Sequence, residues 1–109
     1  MEINDLVAKA YLNANEKGFW SDLECNLEDA ETQEQFNAIG NRLMLIVGEV
    51  AEAQEGLRHN DKDNFKEELA DIAIRLADLC GGLEVNLEHE IIKKMLINKD
   101  RPYKHGKSF

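Results

Sequence analysis

Four carboxylates stand inside stretches that otherwise read as apolar helix, so a fold that buries those stretches must also gather the charges. Glu49 and Glu52 lie in Gly48-Glu-Val-Ala-Glu-Ala53, and Glu68 and Asp71 lie in Glu67-Glu-Leu-Ala-Asp-Ile72. Residues spaced i, i+3 are about 60° apart on one helix face, so each pair points the same way. No Lys or Arg sits four residues from Glu49 or Glu52, although Arg75 stands four after Asp71. Two such helices packed antiparallel could converge four oxygen ligands on one point. Like charges in a low-dielectric setting repel, so the cluster calls for cations. Oxygen-only donors favour a hard ion, Mg²⁺ first and Mn²⁺ as the other candidate.

The rest of the chain supports helix throughout. Apolar residues at Ile3, Leu6, Val7, Ala10, Tyr11 and Ala14 follow the i, i+3, i+4, i+7 pattern of one buried face, and Gly18 ends that helix. An acidic connector follows. A second helix is predicted over about 31–57, with its stripe at Phe36, Ile39, Leu43, Ile46 and Val50. A third is expected from 63 or 64 to Leu79, ended by Gly81-Gly82, and a fourth over 87–99 with Asn86 as its cap. Pro102 closes the pattern, and no Asn-Gly or Asp-Gly hairpin or sustained period-two run argues for strands. The expectation is an all-α four-helix bundle in one domain spanning 1–109, with 102–109 as a basic tail. The second helix is long for so small a domain and apolar around much of its circumference. Covering it calls for homo-oligomerisation, as a dimer or a tetramer.

Composition narrows the partners. A net charge of −9 opposes nucleic-acid polymers and anionic membranes, both of which need a basic face, while leaving room for a small anion bridged by metal. No apolar run approaches the ~20 residues that span a bilayer. Residues 1–5, Met-Glu-Ile-Asn-Asp, lack the character of a signal peptide, so a cytoplasmic location is expected. Cys25 and Cys80 are too few for a disulfide framework; Cys80, after Leu76 and Leu79, reads as a buried thiol. His59 and His89 read as solvent-exposed, and no Glu-x-x-His pair supports a di-iron bundle.

Glu49-x-x-Glu52, fifteen intervening residues and Glu68-x-x-Asp71 together resemble the signature of the MazG-like all-α nucleoside triphosphate pyrophosphohydrolases. The words Leu45-Ile-Val-Gly-Glu-Val-Ala-Glu-Ala53 and Glu67-Glu-Leu-Ala-Asp-Ile72 are similar to that family. So is the ending Lys94-Met-Leu-Ile-Asn-Lys-Asp-Arg-Pro-Tyr-Lys-His-Gly-Lys107, and the likeness covers roughly 37–109. The resemblance implies that Glu49, Glu52, Glu68 and Asp71 bind Mg²⁺ and that a (d)NTP is split into (d)NMP and pyrophosphate. It also implies a housekeeping role in the nucleotide pool. Many members carry a further glutamate directly before the first ExxE, where this chain has Gly48. That departure supports the alternative of a non-catalytic nucleotide- or metal-binding regulatory module.

Within the hydrolase reading, Glu52 is the expected catalytic residue, orienting or deprotonating the attacking water, since crowded carboxylates raise one another's pKa. Lys94 and Asn98, i and i+4 on one helix, with Arg101 just beyond, are expected to bind phosphate; otherwise the basic residues there serve the helix dipole. Tyr103, Lys104 and His105 read equally as a tail or a phosphate lid. Phe19 and Trp20 form a possible wall for the nucleobase or, equally, pack into the core.

Overall fold

The computed structural model describes residues 2–101, and the tail expected at 102–109 lies outside them. Among the described residues the structure is all-helical. It runs α1 (Ile3–Glu16), α2 (Gln33–Arg58), α3 (Lys62–Leu83) and α4 (Leu87–Lys99), with no strand.

The helix ends follow from local hydrogen bonding. Thr32 accepts from the Gln35 N–H while the Gln35 side chain accepts from the Thr32 N–H, a capping box that starts α2. Asp61 and Asn86 cap α3 and α4 through the N–H groups of Asn64 and His89. α1 closes in a Schellman turn: Phe19 donates to the Ala14 carbonyl, Gly18 donates to that of Asn15, and Gly18 takes φ +82°. The same pattern ends α2, where Asp61 donates to Gly56 and Asn60 sits at φ 55°. The resulting three-residue turn at 59–61 folds α2 and α3 back on one another.

α3 is the central element, packed along α1 on one side and α2 on the other, while α4 rests more lightly on α1. The core gathers Ala14, Trp20, Leu23, Ala38, Leu79 and Leu83, flanked by partly buried Tyr11, Ile39 and Ile46. It is thin, and much of the apolar stripe of α2 stays exposed, including Phe36, Leu43 and Val50. On α4, Ile92, Met95 and Leu96 are exposed too.

The end of α3 departs from the sequence expectation. The helix does not stop at Leu79 but runs through Gly81-Gly82 to Leu83, and Glu84 turns the chain at φ 59°. The glycines serve close approach instead of termination. A Cβ on Gly81 would lie 2.5 Å from Cβ of Tyr11, and one on Gly82 would fall inside the Trp20 indole. Bare backbone there lets α3 press against α1 and the turn that follows it. The connector is then tied down at the same point, Leu27 donating to the Leu83 carbonyl at 3.0 Å and Asn26 to the Glu84 carboxylate at 2.8 Å.

Candidate metal and nucleotide site

The α2–α3 hairpin brings Glu49 beside Glu68 and Asp71, three of the four carboxylates that the i, i+3 spacing could converge. One carboxylate oxygen from each of the three lies within 4.8 Å of the others. Glu52, one turn after Glu49 and solvent-exposed, stands outside this trio, yet its charge helps raise the pKa of Glu68. The four carboxylates thus form a graded set, from Glu68 inside to Glu52 and Asp71 at the open edge.

Glu68 is the anomaly of the molecule. It is only 9% exposed, and its buried Oε2 has no hydrogen-bond partner. As an ionised carboxylate, such an oxygen forfeits its hydration without compensation. Its pKa is pushed up to about 7, first by sharing a proton with the adjacent Glu49 carboxyl, then by burial and by the charges of Glu52, Glu49 and Asp71. Glu49 moves the other way. The same contact with Glu68, followed by the Arg75 guanidinium, holds it below the usual carboxylate range.

Arg75 stands four after Asp71 on α3, yet its Nε donates across the helix pair to Glu49 Oε1 at 2.9 Å. A partner on another helix leaves no trace in i, i+4 spacing, which is why the sequence did not disclose it.

Two shallow hollows, of about 160 and 190 Å³, share Arg75, the partner of Glu49. Phe19, Arg75 and Asp78 line both, and the second reaches Asp71. Phe19 is 56% exposed and so offers its ring to this groove. Trp20 is 4% exposed and belongs to the core, the packing alternative for that residue. Its Nε1–H donates to Asp78 Oδ1 at 2.7 Å, and Arg42 stacks 4.2 Å from its ring centroid. Arg42 in turn donates to the Phe19 carbonyl and to Asp22, so the Trp20 network fixes the backbone that presents Phe19. Burial raises the pKa of Asp78 against the opposing Trp20 hydrogen bond and the charges of Arg42 and Arg75. Sequence reading singled out neither Arg42 nor Asp78 as partners of Trp20, because their contacts join segments far apart in the chain.

Lys94 and Asn98 lie exposed on α4, the helix that rests on α1, and neither is bonded to the carboxylate cluster. Arg101 follows the end of α4 and is also exposed. Tyr103, Lys104 and His105 lie outside the described residues. The two cysteines are free; Cys80 is buried, and burial pushes its thiol pKa up. His59 and His89 are exposed.

The donor set fits a hard divalent cation. Every candidate ligand is a carboxylate oxygen, two helices supply them, and the buried partnerless oxygen of Glu68 is the group a cation would satisfy. Comparison of the chain with protein-family models, curated proteins and solved structures finds no match.

Proposed function

We propose that this chain is a Mg²⁺-dependent nucleoside triphosphate pyrophosphohydrolase of the MazG-like kind. The observation that carries the reading is Glu68 Oε2, buried without a partner among carboxylates from two facing helices. Building such a site costs stability, and a bound cation returns it. Glu49, Glu68 and Asp71, with Glu52 at the rim, would hold Mg²⁺ or Mn²⁺. The ion would supply charge neutralisation of phosphate oxygens and acidification of bound water.

The chain's own groups divide the remaining work. Glu52, exposed at the mouth of the site, orients or deprotonates the water that attacks the α-phosphorus of a (d)NTP. Phe19 offers a stacking face for the base at the far end of the groove, while Trp20 holds the underlying scaffold. Lys94, Asn98 and Arg101 supply donors for the departing pyrophosphate. They sit on the α4 side of the protomer, so the reading includes a homo-oligomer, dimer or tetramer, that assembles the full site. The proposed setting is cytoplasmic housekeeping of the nucleotide pool.

The test is pyrophosphate release from a panel of dNTPs and NTPs, with Mg²⁺ and then with EDTA. Chelator-sensitive release of pyrophosphate with monophosphate is the expected outcome. A folded protein that binds nucleotide or metal but turns over none of the panel would instead be the non-catalytic regulatory module that Gly48 allows.

A further inference from the structure

Arg75 is a cation placed within an acidic site by a single-point contact. Only its Nε engages Glu49, at 2.9 Å, and the arginine side chain remains 37% exposed. A one-point, part-exposed pair is readily exchanged, unlike a bidentate fork locked inside a core. The carboxylate that it holds is a member of the trio whose oxygens converge within 4.8 Å. Among the described residues, Arg75 is also the one cationic side chain that lines both hollows.

These placements set up a competition. Glu49 carries a fixed set of lone pairs, and a guanidinium and a divalent ion both require them. The ion brings two charges to three converging carboxylates, whereas the guanidinium reaches one. A cation bound there also repels the guanidinium. We propose that Arg75 is the resident counter-ion of Glu49, and that a divalent cation entering the cluster displaces it toward the Phe19–Asp78 groove. The proposal rests on the metal-dependent reading given above. Its consequence is that in the metal-loaded groove the Arg75 guanidinium is released to meet a phosphate oxygen, while in the metal-free groove it stays engaged with Glu49.

The alternative role is a structural clasp between α2 and α3 that pre-orders Glu49, and the two roles predict opposite signs. Mg²⁺ is titrated calorimetrically into chelator-treated wild type and Arg75→Gln. Displacement predicts that the variant binds Mg²⁺ about two- to fivefold more tightly, the size expected for removal of a part-exposed ion pair. Damage to the fold cannot tighten binding, and Arg75→Met serves the same purpose if the glutamine variant fails to fold. In parallel, the ¹⁵N-edited NMR signal of Arg75 Nε–H, identified by its loss in the variant, is followed through the wild-type titration. It should leave its paired position for that of a solvated arginine as Mg²⁺ binds. Equal or weaker Mg²⁺ affinity in the variant, or a signal that stays in place at saturation, overturns the counter-ion role while leaving the metal site intact. Absence of Mg²⁺ binding by folded wild type removes both.

Discussion

Glu68 gives the metal-free chain a pH dependence of definite sign. Its pKa in the folded chain, about 7, is above the ordinary 4.5, so the folded state holds a proton that the unfolded chain releases. Stability associated with that proton is present below pH 4.5 and is lost as pH rises through about 7. Glu49 contributes in the opposite sense: its lowered pKa adds stability above the ordinary range that is lost as pH falls. The Glu68→Gln variant isolates the first effect, because glutamine keeps the shape and cannot ionise. In EDTA, the Tm difference between variant and wild type should grow in the variant's favour between pH 4.5 and pH 8. Adding Mg²⁺ at pH 8 should raise the Tm of wild type and leave the variant nearly unmoved. A Tm difference that is flat with pH would show that Glu68 ionises normally. Glu52 tests the chemistry itself: Glu52→Gln should abolish pyrophosphate release, by a factor of roughly 10² or more for loss of a general base, with helical content unchanged. Near-normal turnover would reassign the water-activating role.

At the level of elements, the contrast between two glycines says how the helices were built. Gly48 lies mid-α2 with open space where a Cβ would go, whereas Gly82 lies against the Trp20 ring. Gly48→Ala should therefore stabilise by about 0.5–1 kcal/mol through helix propensity. Gly82→Ala should destabilise by about 1–3 kcal/mol, because the indole has to leave its hydrogen bond to Asp78 to make room. Chemical denaturation of both variants checks the pair of signs. The same contrast marks what was legible in the sequence. Helix existence, the Asn86 cap, the stop at Gly18 and the convergence of Glu49, Glu68 and Asp71 all follow from period, capping chemistry and i, i+3 spacing. The true end of α3, the Arg75–Glu49 pair and the Trp20–Asp78–Arg42 assembly do not, since each depends on which helix lies opposite. Paired glycines read locally as a helix stop. Only the tertiary approach of Tyr11 and Trp20 reveals them as a seat.

For the whole molecule, the single chain is open. Its radius of gyration is 16.3 Å, against about 13 Å for a compact chain of 100 residues. Met95 and Leu96 on α4 are 65% and 63% exposed, and Leu43, Met44, Val47 and Val50 on α2 are exposed as well. Monomers rarely leave contiguous apolar surface beyond a few hundred Å², and a specific dimer buries about 1,200–2,000 Å² in total. Burial at about 25 cal/mol per Å² makes these side chains the main reserve of stabilisation that the single chain leaves unused. Wild type should therefore sediment as a dimer or tetramer at micromolar concentration. A charge placed on the α4 face, Leu96→Glu, should shift it toward monomer and lower its Tm in a concentration-dependent way. The same variant should lose activity even though the carboxylates belong to α2 and α3, because Lys94, Asn98 and Arg101 ride on or just beyond α4. Sedimentation and pyrophosphate release measured on the same samples decide the matter. A monomeric wild type with full turnover would sink the requirement for assembly, whereas parallel loss of oligomer and activity in Leu96→Glu would tie the proposed phosphate-binding role of Lys94, Asn98 and Arg101 to it.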